Sequence, residues 1–362
     1  SGMYNEQGDP LAYDLFARHY LTGMLQRGYR SFAYTTYRDI LWRGAWTSLF
    51  MQSPCGELPT GYRSSHHIWN EAEQAVVFEI YASAYASAGK KAEAGVFKRA
   101  AHLSLMSIKN WIRPDGSGYI VKNRYPIEAK HGYERYSAHT CYNMLAMSML
   151  AQAWQFATDD IEQHVCPAEI GGFAFAVPEF HKVFANVDGT YVEYDTNGDQ
   201  IYNPTGLLRI HFKNGNPQLG PSDGCATKYS GEGHVFAVGP AWKDADGNWR
   251  KLAEVIDHKP TVEVLDASTD QVCFKVTFAS SDRTVKISEV FTIKTNEIVV
   301  EDSVKGAAIS QLRVYFPMLV FVGEDETNIK IDRNSVELNL RGKRLHLESI
   351  EPPDAKLMRY RQ

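Results

Sequence analysis

Two segments in the first half of the chain place histidine, tyrosine, asparagine and arginine beside the start of a predicted helix. The first is TGYRSSHHIWNEAEQAV, residues 60–76. Its candidates for ligand contact are Arg63, His66, His67, Trp69 and Asn70. Because a helix N-terminus carries unpaired N–H groups and a positive partial charge, it favours an anion such as a carboxylate. The alternative interpretation is a serine cap, a core tryptophan and two histidines that are polar loop residues.

The second segment is KHGYERYSAHTCYNMLAMSMLAQAW, residues 130–154, which follows NRYPIEAK with its candidate ligand-binding residue Arg124. Tyr133, Tyr136 and His139 recur every third residue, so they share one face if a helix begins here. That face continues through the apolar residues Ala146, Met149, Leu150 and Ala153. The pattern predicts a helix that starts at the rim of a cavity and runs into the core. The alternative is that the tyrosines bury their rings and the histidine pairs with a buried carbonyl.

These residue types suit the removal of a proton next to a carboxylate. Eliminative cleavage of a uronic-acid glycan removes the proton at C5 and expels the sugar at C4. The reaction therefore needs a base, an acid and donors that stabilise the carboxylate. Histidine and tyrosine are suitable acids and bases, whereas asparagine, histidine and arginine are suitable donors. β-Elimination on a uronate is therefore one reaction that the residues of these two segments suit.

A third group of candidates lies in the second half of the chain, in EYDTNGDQIYNPTGLLRIHF. Arg209 and His211 alternate onto one face of a predicted strand, and Tyr202 precedes them in the adjoining loop. That face is either part of a ligand site or a polar row that faces solvent, which half-buried antiparallel strands usually have.

The same stretch contains Asp195, Asn197 and Asp199, whose spacing is that of oxygen ligands in a calcium loop. We therefore consider a structural calcium ion at these residues, although no cofactor is required for the predicted chemistry. The rest of the calcium motif is missing, and Asn-Gly by itself favours a hairpin turn, which is the alternative interpretation.

The secondary structure that the apolar spacing predicts changes once along the chain, from helices to strands. Apolar residues recur at helical spacing in five runs, which are residues 9–28, 34–54, 70–89, 91–114 and 130–158. From Gly172 onward the period becomes two, and turn signals such as Asp188-Gly189 separate the runs. Helices followed by strands predict an α+β protein with two domains, an α-helical domain at 3–160 and an antiparallel β domain at 172–362.

Composition excludes several classes of partner. The chain has 362 residues, is 44% hydrophobic and has a net charge of −5 without a lysine or arginine block, so we expect no nucleic-acid partner. No apolar run reaches the roughly 18 residues of a membrane span. Five widely spaced cysteines without a CxxC pair predict neither a disulfide framework nor a zinc site, and we expect no metal in the candidate site. Ser1-Gly2 before Met3 is typical of a cloning scar, and the chain shows no signal peptide.

Three segments in order along the chain resemble bacterial polysaccharide lyases of the heparinase II/III and alginate lyase type. They are PTGYRSSHHIWNEAEQAV, HGYERYSAHTCYNMLAMSMLAQAW and GTYVEYDTNGDQIYNPTGLLRIHF. Within that group the chain looks most similar to lyases that remove rhamnose from glucuronate caps on arabinogalactan side chains. The resemblance implies an N-terminal (α/α) toroid followed by a C-terminal antiparallel β-sandwich or β-sheet domain. Five helices are too few for a full toroid, so we expect an incomplete or open ring.

The resemblance also implies roles for particular residues. Tyr136 or Tyr133 together with His139 would be the acid and base, and His211 would be the contribution of the β domain. His67 and Asn70 would bind the carboxylate, although here the Asn-His pair of the family is spread over HHIWN. The implied partner is a uronate-containing polysaccharide or oligosaccharide. A periplasmic or secreted location follows from that substrate class, because a polymer does not readily reach a cytoplasmic enzyme.

Two other functions are compatible with the same residues. A glycoside hydrolase would use a carboxylate pair, for which Glu71 and Glu134 are the candidates. A carbohydrate-binding protein would use the tryptophans and tyrosines to stack on sugar rings, and it would leave the convergence of tyrosine, histidine, asparagine and arginine without a role.

Overall fold

The computed structural model describes residues 1–134, 136–137, 139–199, 201–221, 237–255, 259–279, 284–306 and 309–349. The chain divides into two compact units. The helical unit comprises Ser1–Asn123, Gly132–Gly171 and Val177–Phe180. The β unit comprises Arg124–His131, Gly172–Ala176 and His181–Gln362. The protein is therefore a mixed α+β chain, with helices before strands.

The helical unit contains five long helices and one short one within the described residues. They are α1 (Leu11–Gln26), α2 (Tyr34–Met51), α3 (Ile68–Ser87), α4 (Lys91–Lys109), α5 (Cys141–Phe156) and α6 (Pro167–Ile170). All five predicted helices are thus present. No helix in the described part of the chain is long and apolar enough to cross a membrane.

Helix α3 is the centre of this unit and is buried on all sides in its first three turns. It packs against α4 and α5, and small residues such as Ala72 and Ala75 allow the neighbouring helices to approach closely. The predicted apolar face of α5 is confirmed, because Ala146, Met149 and Ala153 are buried in the same core. One expectation is wrong: the helix does not begin near Tyr133 but at Cys141. The described residues before it, 131–134, 136–137 and 139–140, lie outside the helix.

The β unit consists of antiparallel sheets joined mainly by short turns. The first sheet contains β1 (Gly171–Val177), β2 (Lys182–Val187), β3 (Thr190–Asp195) and β4 (Gly206–Phe212) in that order. A second sheet contains β7 (Thr261–Ala267), β8 (Val272–Ala279), β9 (Val285–Lys294) and β10 (Glu297–Gly306). A third sheet, of three strands, contains β5 (Gly239–Lys243), β6 (Trp249–Lys251) and β11 (Leu312–Tyr315). A fourth sheet, also of three strands, contains β12 (Asn328–Ile331), β13 (Ser335–Leu340) and β14 (Lys343–Glu348).

The core of the β unit contains side chains from both four-stranded sheets. Val183 and Val192 come from the first sheet, and Phe274 and Phe291 come from the second, where their rings stack at 4.7 Å. The predicted Asp188-Gly189 turn joins β2 to β3, and both residues have positive φ, at 47° and 74°. A two-residue turn of this kind matches the twist of the strands that it connects.

Sequence periodicity misjudged two strands. The run LRVYFPMLVFV, residues 312–322, has the apolar character of one long strand, but β11 ends at Tyr315, just before Pro317, whose missing N–H cannot join a ladder. Strand β2 lacks a period of two, because both of its faces are buried and Lys182 and Asn186 interrupt its apolar pattern.

Candidate functional site

The loop before α3 has an unusual backbone. Tyr62, Ser64 and His66 all have positive φ, at 58°, 65° and 66°. Each such conformation costs a residue other than glycine about 1–3 kcal/mol, so the surrounding contacts must hold it. The backbone N–H of Lys122 donates to the His66 carbonyl at 2.8 Å, and the side-chain amide of Asn70 donates to the Ser64 carbonyl at 3.0 Å. With three positive φ values in five residues, the loop has a backbone path that neither a regular strand nor a regular helix follows.

Ser64 is the residue on which the contacts of this loop converge. Its hydroxyl oxygen lies 3.1 Å from Oε2 of Glu134 and 2.9 Å from the hydroxyl of Tyr136. Its backbone N–H also donates to Oε2 of Glu134, at 3.2 Å. The hydroxyl of Tyr13 lies 3.4 Å from the same serine oxygen. A buried carboxylate, a buried serine and two tyrosines thus form one cluster.

His67 is fully buried, and its hydrogen bonds determine which nitrogen carries the proton. The indole N–H of Trp69 donates to Nδ1 of His67 at 3.1 Å. The neutral imidazole therefore carries its own proton on Nε2. That nitrogen is buried and has no hydrogen-bond partner among the residues that the structure describes. Burial, together with the nearby charges of His66 and Lys122, lowers the pKa of His67 to about 3. His67 is a neutral donor at physiological pH.

Tyr142, in the first turn of α5, connects the two predicted segments. Its ring centroid lies 5.8 Å from that of His67 and 6.3 Å from that of Tyr136. The Tyr136 side chain is 39% exposed, so a ligand has access to its ring. Burial raises the pKa of Tyr136, and the hydrogen bond between its hydroxyl and Ser64 opposes this shift. An accessible phenol and a buried imidazole donor thus both lie near the ring of Tyr142.

The other predicted acid–base residues occupy different surroundings. Tyr133 is half-buried and hydrogen-bonds to the backbone of Val121, and burial raises its pKa. His139 is exposed in the turn before α5, and its carbonyl accepts the N–H of Tyr142 at 3.1 Å. Among the described side chains, Tyr136 is the one of these three residues that hydrogen-bonds to Ser64, at 2.9 Å.

The predicted ligand-binding residues of the loop have structural partners. Arg63 forms an ion pair with Glu6, and its guanidinium carbon lies 4.7 Å from the ring centroid of Tyr13. Trp69 is 2% exposed and packs edge-on against Tyr13 at 6.1 Å, so it reaches the site only through its bond to His67. His66 is also buried. Arg63 is the member of this set that keeps side-chain exposure, at 29%.

Glu71 belongs to a buried ion-pair network that sequence reasoning missed. Lys122 lies 2.9 Å from Oε1 of Glu71 and 3.3 Å from Oε2 of Glu57. The backbone N–H of Leu58 donates to the same Glu71 oxygen at 3.0 Å. Burial raises the pKa of Glu71, whereas the charge of Lys122 lowers it. Nothing in the local sequence marks Lys122, which is 51 residues from its partner.

The candidates in the β unit lie on a buried polar face of the first sheet. Arg209 and His211 are only 1% and 2% exposed, so the solvent-facing alternative is wrong. Arg209 lies 3.6 Å from Glu193 on the neighbouring strand, and the His211 ring lies 6.0 Å from that of Tyr191. A buried arginine is retained only with such a partner, because desolvation of its charge is costly. Outside this face, Tyr202 is half-buried in the loop between β3 and β4.

Arg124 also lies in the β unit. Its guanidinium pairs with Glu324 at 3.1 Å, and its backbone N–H donates to the Val322 carbonyl at 3.2 Å. These contacts hold Arg124 within the β unit, whereas Tyr133 belongs to the helical unit.

The residues considered for calcium are engaged in other contacts. Asp195 pairs with Lys182 at 2.9 Å and accepts the backbone N–H of Asn197 at 3.0 Å. Oδ1 of Asp199 accepts three backbone N–H groups, those of Ile201, Tyr202 and Asn203. In the described ranges no group of three or more His, Cys, Asp and Glu side chains is arranged for a metal ion. The turn interpretation accounts for these contacts, and calcium stays a prediction.

The helical unit thus combines an accessible tyrosine, a serine–carboxylate pair and a neutral buried imidazole donor. Such a set is able to move a proton and to donate hydrogen bonds to an anion. Comparison with protein-family models, curated proteins and solved structures finds no match for this chain.

Proposed function

We propose that the protein is a polysaccharide lyase that cleaves a uronate-containing glycan by β-elimination. One observation carries this proposal: the ring of Tyr142 contacts both the accessible Tyr136 and the buried His67. A proton-transferring phenol and a neutral N–H donor near one another are two of the groups that elimination next to a carboxylate requires.

In this proposal Tyr136 exchanges the proton and His67 is a donor to the substrate carboxylate. Because the Nε2–H of His67 is buried, a hydrogen bond to it would be stronger than one in water. Because His67 is fully buried and the Tyr142 ring lies 5.8 Å from it, the carboxylate would reach His67 after a side-chain movement. Arg63 adds positive charge at the edge of the cluster, although Glu6 offsets part of it.

The finer fold assignments belong to the same proposal. We infer an incomplete (α/α) toroid in the helical unit, supported by successive long helices packed around α3. We infer a β-sandwich in the β unit, supported by a core that both four-stranded sheets share. A periplasmic or secreted location would follow from the polymeric substrate.

The test is ultraviolet absorbance during incubation with rhamnose-capped arabinogalactan, alginate and glycosaminoglycans. A rise in absorbance reports the C4–C5 double bond that elimination creates, and it is the expected result. New reducing ends without that absorbance would overturn the lyase proposal and favour hydrolysis. Retention on a glycan column without any cleavage would favour a carbohydrate-binding protein.

The hydrolase alternative has less support from the contacts of its two carboxylates. Glu71 is fully buried and paired with Lys122 and the Leu58 backbone, whereas Glu134 contacts Ser64. A general acid must reach the glycosidic oxygen, and a carboxylate held in a buried ion pair is poorly suited to that role.

A further inference from the structure

In the hydrogen bonds around Ser64, the donor and the acceptor can be assigned from the number of protons that each group carries. A serine hydroxyl has one proton to donate and two lone pairs that accept, and an ionised carboxylate only accepts. Because Oγ of Ser64 lies 3.1 Å from the Glu134 carboxylate, its proton points there. The hydroxyl of Tyr136, at 2.9 Å, is then the donor to Ser64.

Glu134 is placed to receive a proton. It is 7% exposed, and its Oε2 accepts both the hydroxyl and the backbone N–H of Ser64. Its Oε1 is buried and has no hydrogen-bond partner within the described part of the chain. The Ser137 hydroxyl holds the Glu134 backbone by accepting its N–H at 2.9 Å. One carboxylate oxygen is thus engaged with the serine, while the whole group stays shielded from water.

The backbone of the loop keeps Ser64 between its two partners. Ser64 has a φ of 65°, which a serine rarely adopts without an external reason. The Asn70 amide holds the Ser64 carbonyl at 3.0 Å, and the Glu134 carboxylate holds its N–H at 3.2 Å. A strained residue that is fixed from both sides is typical of a functional position.

We propose that Ser64 and Glu134 form a proton relay that serves Tyr136, a role that rests on the proposed elimination. As the C5–H bond breaks, its proton goes to the Tyr136 oxygen, the tyrosine proton goes to Ser64, and the serine proton goes to Glu134. The electron pair of the C5–H bond forms the C4–C5 double bond, and the leaving oxygen departs with the pair of the C4–O bond. Reversal of the relay delivers one proton to that oxygen, so the enzyme returns to its starting state.

The relay explains how a phenol whose pKa is raised by burial acts as a base. A free tyrosinate is disfavoured here, because both burial and the negative charge of Glu134 raise the pKa of Tyr136. Passing the phenol proton onward while the C5 proton arrives avoids a tyrosinate altogether. The other groups that act on this hydroxyl are Tyr13 and Arg63, and neither offers a second carboxylate.

The kinetic test compares four variants of the full chain. Ser64→Ala and Ser64→Gly both remove the hydroxyl. Glycine adopts a positive φ without strain, so a loss of activity that both variants share is not caused by backbone strain. We expect kcat to fall about 10- to 100-fold in both, and by about 100-fold or more in Glu134→Gln, with KM changed less than about threefold. Ser148→Ala removes an exposed serine hydroxyl in α5 and is the control. Full activity in both Ser64 variants would overturn the relay, even if Glu134→Gln is inactive.

A spectroscopic test does not depend on activity. Tyr136 is replaced by 3-fluorotyrosine, whose phenol is more acidic, and its ionisation is followed by fluorine NMR. Loss of the Ser64 hydroxyl should raise the pKa of this phenol, because Ser64 can turn its proton toward the phenolate. Glu134→Gln should lower that pKa, because it removes a nearby negative charge. Shifts of the same sign, or none, would overturn the relay. Absence of lyase activity in the unmodified chain would instead overturn the proposed function and leave this titration interpretable.

Discussion

The indole N–H of Trp69 donates to Nδ1 of His67 across 3.1 Å and so fixes the proton of that imidazole on Nε2. Trp69 is itself immobilised in the core between Tyr13 and Phe16, with ring centroids at 6.1 and 5.8 Å. The tryptophan is therefore a positioning residue for His67, and its own ring is not available to stack on a sugar.

In Trp69→Phe the Nε2–H tautomer of His67 should no longer be favoured, because phenylalanine fills part of the space but has no N–H donor. We expect nitrogen NMR of the imidazole to show a mixture of Nδ1–H and Nε2–H forms instead of Nε2–H alone. In the proposed reaction KM should rise about fivefold, the equivalent of one hydrogen bond. An unchanged nitrogen spectrum would show that Trp69 does not fix the tautomer. Phe16→Leu is the control, since it alters the same core without touching the hydrogen bond.

Tyr136→Phe should lower kcat about 10²- to 10⁴-fold, because it removes the hydroxyl that exchanges the proton. The measurement is the rate of double-bond absorbance at saturating glycan. Tyr133→Phe is the matched control and should keep most of the rate, since its hydroxyl contacts the Val121 backbone. The reverse result would assign the proton transfer to Tyr133.

Lys122→Met should destabilise the helical unit by about 3–5 kcal/mol, because two buried carboxylates, Glu57 and Glu71, would lose their cation. Urea unfolding followed by helical circular dichroism measures the change. Adding Glu57→Gln and Glu71→Gln to this variant should restore much of the lost stability, because none of the three sites then carries a buried charge. Lys109→Met, at an exposed position in the last turn of α4, is the control.

The β unit should become less stable as the pH rises through about 6, because it contains two acidic side chains that face each other on adjacent strands. Asp302 lies directly opposite Glu289 on adjacent strands, and a hydrogen bond joins them. Burial raises the pKa of Asp302 to about 6, above its ordinary value of 3.8. Since the folded state holds this proton more tightly than the unfolded state, its stabilisation is complete below pH 3.8 and is lost above about pH 6.

Asp302→Asn tests this pH dependence, because asparagine has no charge to bury. The variant should be more stable than the parent at pH 7.5 by on the order of 2–3 kcal/mol, with no advantage at pH 4. Thermal unfolding across that range measures the difference, and Glu301→Gln, an exposed neighbour, should change little at either pH. An equal gain at both pH values would show that the effect is not caused by ionisation.

Much of the fold was predictable because it depends on local periodicity. The five long helices and most strands follow from apolar spacing, and Asp188-Gly189 marks its hairpin through residues that tolerate positive φ. The start of α5 was not predictable in this way. Tyr133, Tyr136 and His139 have helical spacing, but spacing alone does not require the backbone to form the hydrogen bonds of a helix.

The sequence by itself determined which two segments contain the candidate site, since they have an excess of polar and aromatic residues beyond what a cap needs. Only the tertiary structure decided which side chains meet. Ser64 and Tyr136 are 72 residues apart, and the contact between them depends on how the loop before α3 lies against the turns before α5. Alternation likewise placed Arg209 and His211 on one face of a strand, but only the folded chain decided that this face is buried. Periodicity reports the direction of a side chain along its own element, whereas burial and partners depend on the other elements that pack there.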